Sequence, residues 1–232
     1  MKIVISLGGS IIIPDEVNYS YLKKFVSLIK KYSKNNKIAV VTGGGVTARK
    51  YINSLRKDNL NEDIYSLIGI ATTKLNARLV NGFFNKIVVD LPDSLGEVKK
   101  SLEKDNIIVI GSLGFQPDMT SDGDAAQVAE YIKADLFLNL TNVNGLYNKD
   151  PKKFKDAKLI DSIGFNEFYK IAKKIGFKAG QHFVLDYKGA EIIKRANIKT
   201  IILNGINLKN LENVLKGKRF IGTIIGKTKR FK

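Results

Sequence analysis

The chain has 232 residues, 44% of them hydrophobic, enough to form the core of one large α/β domain or two small ones. Cysteine is absent, which excludes disulfides and thiolate chemistry, and no apolar run approaches the roughly 20 residues that span a bilayer, so we expect a cytoplasmic protein. The 39 lysine and arginine residues outnumber 22 acidic residues, and the formal charge of +17 favours a small anionic substrate over a nucleic acid because the excess is spread along helical segments.

Six short apolar runs, rich in β-branched residues, predict the strands of a central sheet that is buried on both faces. The runs cover residues 3–7, 38–41, 87–89, 107–110, 136–140 and 201–203. Between them, apolar residues at helical spacing predict helices around residues 21–29, 64–79 and 125–132. This alternation predicts an α/β fold, a three-layer αβα sandwich with a mainly parallel central sheet.

The chain contains only four prolines and no linker rich in serine or glycine, so we expect one continuous domain over residues 1–232. A soft division near residue 120 separates an N-terminal lobe from a C-terminal lobe that extends to about residue 226. The basic residues 227–232 are expected to form a frayed tail. Residues 142–163 lack a regular pattern, which indicates a long functional loop with a small hairpin.

Three glycine-bearing turns, each after a predicted strand, lie at residues 8–10, 43–45 and 111–120. Glycine removes the Cβ that would keep an anion away from backbone N–H groups. Turns of this kind at one edge of a sheet therefore predict a phosphate-binding cleft and a phosphotransferase. The turns match neither the Walker P-loop nor the dinucleotide-binding fingerprint.

Charged residues follow two of these turns. Arg49 lies in the first turn of the helix predicted after residues 43–45, where it can bind phosphoryl oxygens; the alternative is a surface arginine beside a tight turn. Asp122 follows the third turn. Either Ser121 or Asp122 simply caps the next helix, or Asp122 lies at the mouth of the cleft and orients cationic groups or Mg²⁺. Asp124 is a competing candidate for that role.

Three further residues are notable for their chemical type. Tyr147 and Asp150 follow the predicted strand 136–140, where an aromatic face and short polar side chains suit a nucleobase and ribose; the alternative is a pair of Asn-Gly and Asp-Pro turns. His182 is the only histidine, so it has no partner for a metal cluster or a catalytic triad. We expect His182 to be structural or peripheral.

Taken in this order, the segments resemble the amino-acid kinase superfamily and, within it, the archaeal-type uridylate (UMP) kinases. The similarity runs from Lys2 to about Gly226 and is most specific at residues 43–51, 67–77, 114–122 and 141–151. It implies a carbamate kinase-like sandwich and direct transfer of the γ-phosphoryl group from Mg·ATP to UMP. It also implies that the partners are small nucleotides, with no membrane or nucleic acid, and that the chain forms a homo-oligomer, commonly a hexamer.

The resemblance also implies a role for each matching residue. Arg49 and Asp122 would be catalytic, Mg²⁺ would enter bound to ATP, and no metal site of the protein's own is expected. The N-terminal lobe would bind the acceptor and the C-terminal lobe would bind ATP. The ATP-binding residues would be Gly8, Gly9, Ser10, Gly45, Arg49, Thr141, Asn142, Tyr147 and Asp150. The UMP-binding residues would be Gly44, Ser66, Gly114, Phe115, Gln116, Pro117, Asp118, Met119 and Thr120.

Four positions depart from the family pattern. Ser6 stands where many relatives have lysine, Lys74 where they often have arginine, and Asn144 where a turn usually contains aspartate. Ser66 replaces the usual ribose-binding aspartate, and a single hydroxyl cannot accept hydrogen bonds from both ribose hydroxyls as a carboxylate can.

These departures leave alternatives beside the leading hypothesis of a UMP kinase. One is a related kinase that acts on a small acid or phosphate, such as carbamate, acetylglutamate or isopentenyl phosphate. No histidine follows the glycine triplet, where the isopentenyl phosphate kinases have a catalytic one. The others are a nucleotide-binding sensor or storage protein with little turnover, and a nucleic-acid binder with salt-dependent affinity.

Overall fold

Seven strands form one sheet in the part of the chain that the computed structural model describes, residues 1–58, 60–116, 119–151, 153–175 and 185–226. The strands are β1 (Lys2–Leu7), β2 (Lys37–Thr42), β3 (Ile107–Ile110), β4 (Leu136–Thr141), β5 (Ser162–Ile163), β6 (Thr200–Asn204) and β7 (Thr223–Ile225). Their order is β3-β2-β1-β4-β6-β7-β5, and only the pairing of β6 with β7 is antiparallel. The predicted mainly parallel sheet is confirmed.

Helices cover both faces of this sheet. Within the described residues they are α1 (Gly9–Ile12), α2 (Tyr19–Ser33), α3 (Gly45–Leu55), α4 (Glu62–Phe83), α5 (Leu95–Lys104), α6 (Ser121–Tyr131), α7 (Phe165–Ile175), α8 (Tyr187–Ala196) and α9 (Leu208–Leu215). A short 3₁₀ turn, Arg56–Asp58, follows α3. None of the helices in the described ranges is long and apolar enough to cross a membrane.

Two hydrophobic cores lie on opposite faces of the sheet because side chains alternate along each strand. Val4 and Val41 pack on one face with apolar residues of α5, α6, α7 and α8. Ile3, Ile5 and Val40 pack on the other face with α2, α4 and α9. Since both faces are covered, the strands are buried along nearly their whole length, and the three-layer sandwich is confirmed.

The predicted strand at residues 87–89 is wrong. These residues form a loop between α4 and α5, in which Ile87 is 98% and Val89 75% exposed. The run does not pair with β3, the strand at that side of the sheet, and the Val89 carbonyl accepts a hydrogen bond from Arg78 Nη2 at 3.1 Å instead. β-branched residues favour an extended backbone without supplying a partner strand, so the run remains outside the sheet.

Helix α4 confirms the predicted helix, but the apolar residues that predicted it are largely exposed. Ile64, Leu67 and Leu75 are 38%, 53% and 58% exposed, and we call this set the α4 stripe. The buried face of α4 carries polar as well as apolar side chains, namely Tyr65, Thr72, Thr73, Asn76, Ala77, Val80 and Asn81. The helix therefore presents both polar and apolar side chains to the sheet and leaves the α4 stripe exposed.

The segment after β4 contains the small hairpin that the sequence indicates. Tyr147 and Leu159 form an antiparallel bridge, and the Asn148 N–H donates to the Lys158 carbonyl at 3.1 Å. Leu146 and Thr223 tie this hairpin to β7, because the Leu146 N–H donates to Thr223 Oγ1 at 2.8 Å. The tail at residues 227–232 lies outside the described residues.

Candidate active site

The turns that follow β1, β2, β3 and β4 lie at one edge of the sheet, because these four strands are parallel neighbours. The Gly8 N–H donates to the Leu140 carbonyl at 3.1 Å, and the Gly43 N–H donates to the Leu7 carbonyl at 3.0 Å. The ladder of hydrogen bonds thus continues from the strands into the turns. Carboxyl ends of parallel strands are where α/β proteins usually bind ligands.

The first two glycine turns are in direct backbone contact. A Cβ built on Gly9 would lie 2.5 Å from the Gly43 carbonyl oxygen, and one built on Gly45 would lie 2.5 Å from the Gly9 carbonyl oxygen. Gly45 also has a φ of +64°, a conformation that side chains disfavour. Only glycine fits at these positions. Because glycine has no side chain, the backbones of the two turns come into contact at the ends of β1 and β2.

Helix α4 fixes the second turn through a residue to which sequence reasoning assigned no role. Asn76 is 1% exposed, and its Nδ2 donates to the Gly43 carbonyl at 2.7 Å and to the Gly44 carbonyl at 3.4 Å. Thr42 Oγ1 donates to the Thr73 carbonyl at 2.8 Å. The sequence feature that could have revealed this contact is the group of polar residues within the predicted helix.

Arg49 lies just beyond the first turn of α3, since the helix begins at Gly45. Its side chain is exposed, and in the part of the chain described here no hydrogen bond or ion pair engages the guanidinium. An unengaged cation next to glycine turns is available to an anionic ligand.

The start of α6 places Asp122 beside β1. Thr120, rather than Ser121 or Asp122, caps the helix, as its Oγ1 accepts hydrogen bonds from the N–H groups of Asp122 and Gly123 at 3.2 and 3.3 Å. The Asp122 carboxylate is therefore free for other contacts. It accepts a hydrogen bond from Ser6 Oγ at 2.5 Å and another from the Asn139 side chain.

Three carboxyl groups approach one another at this point. Burial raises the pKa of Asp122 to about 6; the hydrogen bond from Ser6 opposes the rise and the charge of Asp186 adds to it. Asp186, which sequence reasoning missed, caps α8 by accepting from the Gly189 N–H at 2.6 Å and also accepts from Thr120 Oγ1. Burial raises its pKa as well. Asp124 is distinct, since it faces residues 112–116 rather than β1.

The third turn packs between α4 and α6. A Cβ on Gly111 would lie 2.6 Å from the Lys74 nitrogen, and the Gly114 N–H donates to the Asp93 carbonyl at 2.7 Å. Lys74 Nζ in turn pairs with the Asp93 carboxylate at 3.2 Å. Phe115 is 43% exposed at the surface of this turn. Pro117 and Asp118 lie outside the described residues, as does His182.

Ser66 lies on α4 three residues before Gly69, and Gly69 borders the second glycine turn. A Cβ on Gly44 would lie 3.6 Å from the Gly69 carbonyl oxygen. Ser66 Oγ donates to the Glu62 carbonyl of the same helix at 3.2 Å. Its oxygen retains the capacity to accept a hydrogen bond from a ligand.

The segment after β4 adjoins the same edge of the sheet. Thr141 ends β4, and its carbonyl accepts from the Gly205 N–H at 2.9 Å. Asn142 is exposed, Tyr147 lies in the hairpin bridge, and the Asp150 carbonyl accepts from the Phe154 N–H at 3.0 Å. These residues therefore lie on the side of β1 away from β2.

Other features of the described ranges do not coincide with this edge. No group of three or more histidine, cysteine, aspartate or glutamate residues among them is arranged to hold a metal ion. A cavity of about 240 Å³ lies under the amino ends of β1, β4 and β6, beside Met1, Asp135 and Lys199, so it is remote from the glycine turns.

Residues 1–204 match the model of the Amino acid kinase family. The chain belongs to this family. It is 36% identical over 228 residues to the uridylate kinase of Sulfolobus acidocaldarius, covering 97% of this chain and 99% of that protein. It is 38% identical over 223 residues to the uridylate kinase of Methanococcus aeolicus, covering 94% and 98%.

Solved structures show the same architecture. The uridylate kinase of Archaeoglobus fulgidus matches this amino acid kinase with a TM-score of 0.84 and 35% identity, over 97% of this chain and all of that one. The UMP kinase of Ureaplasma parvum matches with a TM-score of 0.79 over 98% and 99% of the two chains. At 23% identity, this second match shows the fold alone.

The raised pKa of Asp122 predicts how this residue affects stability. A carboxyl whose pKa is about 6 in the folded state and 3.8 when unfolded stabilises the fold at low pH, and this contribution is lost as the pH rises through about 6. Asp122→Asn should therefore become progressively more stable relative to the natural protein between about pH 4 and about pH 7, measured by urea unfolding. Asp63→Asn, which removes an exposed carboxylate of α4, is the control. A stability difference that does not vary with pH would contradict the assignment.

Proposed function

We propose that this amino acid kinase is an ATP-dependent UMP kinase that transfers the γ-phosphoryl group of ATP to UMP, giving ADP and UDP in pyrimidine nucleotide metabolism. The observation that carries the proposal is the contact between the two glycine turns at the ends of β1 and β2, with Arg49 and Asp122 beside them. Full-length similarity to uridylate kinases supports UMP as the acceptor over the small-acid alternatives.

The donor and acceptor would lie end to end across these glycine turns. ATP phosphates would be bound by Gly8, Gly9, Ser10 and Gly45, with adenosine towards the C-terminal lobe at Thr141, Asn142, Tyr147 and Asp150. UMP would lie on the β3 side, at Gly44, Ser66 and residues 114–120. This division follows the sheet order, in which β4 and β6 lie on one side of β1 and β2, and β3 lies on the other.

Phosphoryl transfer depends mainly on positioning and on stabilising charge. Backbone N–H groups of the turns and the free guanidinium of Arg49 would bind the oxygens on which negative charge accumulates. Asp122 would organise the site from a position held by Ser6 and Asn139, with no need for a covalent intermediate. Mg²⁺ would arrive with ATP as part of the substrate.

Ser66 would recognise the ribose by a single hydrogen bond. Its hydroxyl proton is used within α4, so only its oxygen is available, as an acceptor. A carboxylate at this position would accept from two ribose hydroxyls, which implies that this chain binds the ribose more weakly than relatives with aspartate do.

The direct test of the function is an assay of ADP release with Mg·ATP and a panel of acceptors. We expect UMP to give the highest kcat/KM among UMP, CMP, dCMP, carbamate, acetylglutamate and isopentenyl phosphate. Absence of UMP-dependent turnover would refute the proposal. Tight UMP and ATP binding by calorimetry without product would instead support a nucleotide-binding protein that has lost catalysis.

Arg49→Ala should lower kcat with UMP on the order of a hundredfold, because the substitution removes a cation from the transferred phosphoryl group. Arg49→Lys should restore part of the rate, since it restores charge without the planar fork. Lys50→Ala, at the next position of α3 and equally exposed, is the matched control. Steady-state kinetics would exclude this role for Arg49 if Arg49→Ala and Lys50→Ala behaved alike.

Self-association is the second part of the proposal. The α4 stripe, Ile64, Leu67 and Leu75, leaves an apolar face exposed along a 22-residue helix, and exposed apolar patches commonly mark protein interfaces. A second copy of the chain would cover the α4 stripe, giving a homo-oligomer. Resemblance to the family favours a hexamer.

Substitution in the α4 stripe should change the mass of the assembly. Leu75→Glu places a charge within the expected interface, so sedimentation velocity should show smaller species than for the natural protein. Ile221→Glu, at a residue of similar exposure outside the stripe, is the control and should leave the assembly intact. A natural protein that sediments as a monomer would contradict self-association.

A further inference from the structure

Asp124 is a charged residue in an unfavourable place. It is 3% exposed on the inner face of α6, and within the described ranges no cation pairs with it. The charged groups that act on it are the carboxylates of Asp122 and Asp186. Burial beside like charges is costly, so the contacts that Asp124 makes must offset that cost.

Those contacts all come from one short segment. The side chain of Ser112 and the backbone N–H of Leu113 donate to the Asp124 carboxyl, and Gln116 Nε2 lies 3.4 Å from its Oδ1. Asp124 therefore binds the beginning and the end of residues 112–116, which follow β3. We call these residues the 112–116 segment.

A second contact attaches the same segment to α6. Gln116 Nε2 donates to Gln127 Oε1 at 3.1 Å, and Gln127 Nε2 donates to Gln116 Oε1 at 2.8 Å. On its other side the segment is held by α4, because the Ser112 N–H donates to Thr73 Oγ1 at 2.8 Å. The position of the 112–116 segment is thus set between α4 and α6.

The same turn of α6 carries both this anchor and the candidate catalytic carboxylate. Asp122 contacts Ser6 on β1, whereas Asp124, two residues later, contacts the 112–116 segment. A shift of the segment relative to α6 would therefore move it relative to the glycine turns. Misplacement of a substrate by about 1 Å can cost two orders of magnitude in rate.

We propose that Asp124 is a positioning residue for the acceptor nucleotide, which holds the 112–116 segment against α6 and so determines UMP affinity without contacting ATP. The inference rests on the proposed function, since Gly114, Phe115 and Gln116 belong to the expected UMP site. Burial raises the pKa of Asp124 to about 7, while the donors of the segment oppose the rise. An apolar side chain at this position would avoid the cost of burial, so the presence of a carboxyl is consistent with anchoring.

The test compares Asp124→Ala with Asp124→Asn in steady-state kinetics, varying UMP and ATP in turn. Asp124→Ala should raise the KM for UMP on the order of tenfold, the effect of leaving buried donors unpaired, and leave the KM for ATP unchanged. Asp124→Asn should restore most of the affinity, because its Oδ1 accepts from Leu113 and the Gln116–Gln127 pair can rotate both amides to match. Glu130→Gln, which changes a carboxylate of α6 that pairs with Arg195, is the control.

Gln127→Ala keeps the buried carboxyl but removes the second attachment, so it should raise the KM for UMP in the same direction even if Asp124→Ala fails to fold. The inference is overturned if the natural protein phosphorylates UMP while Asp124→Ala changes both KM values equally, or only lowers the melting temperature. It is also overturned if Gln127→Ala leaves the KM for UMP unchanged. If the natural protein is inactive with UMP, the proposed function itself is refuted. The affinity of the same variants for UMP would then be compared by calorimetry.

Discussion

The backbone contact between Gly9 and the turn of Gly43 and Gly45 is the constraint on which the rest of the site depends. Any side chain at Gly9 would collide with the second turn, and Gly45 adopts a left-handed conformation. The turns meet because β1 and β2 are adjacent and parallel, and Asn76 fixes the second turn from α4. The proposed phosphate cleft would thus be built mainly from backbone atoms.

Three carboxyl groups lie beside the glycine turns. Burial raises the pKa values of Asp122, Asp124 and Asp186, the charge of Asp186 adds to the rise for Asp122 and Asp124, and each carboxyl is held by hydrogen bonds from neighbouring segments. Asp122 is tied to β1, Asp124 to the 112–116 segment and Asp186 to the start of α8. Helix α6 therefore links the strand ends to elements from both halves of the chain, which would make the relative positions of donor and acceptor depend on its first turns.

The proposed UMP kinase activity is compatible with the substitutions that distinguish this chain. Ser6, where the resemblance leads one to expect lysine, donates to Asp122 at 2.5 Å and so has a hydrogen-bonding role without a positive charge. Lys74 pairs with Asp93, whose backbone also binds Gly114, so it supports the third turn. Arg49 is accordingly the exposed cation on which stabilisation of the transferred group would mainly depend.

Periodicity in the sequence was sufficient to predict the buried strands and the helices around residues 21–29 and 125–132, because a strand covered on both faces must be continuously apolar and a helix covered on one face must repeat. It also predicted glycine turns after β1, β2 and β3, since these turns require glycine locally. It failed at residues 87–89, where a β-branched run lies in an exposed loop, and it could not predict β5 and β7, which contain too few residues to show a pattern.

Site contacts between residues distant in sequence were decided by the tertiary structure alone. Asn76 against Gly43, Ser6 against Asp122 and Asp186 against Thr120 join positions 33, 116 and 66 residues apart. The exposure of the α4 stripe was likewise undetermined, since an apolar helical face looks the same in sequence whether its own chain or another copy covers it. The local sequence pattern indicates which residues must be buried or must lack a side chain. Which of these residues contact one another depends on the order of the strands in the sheet.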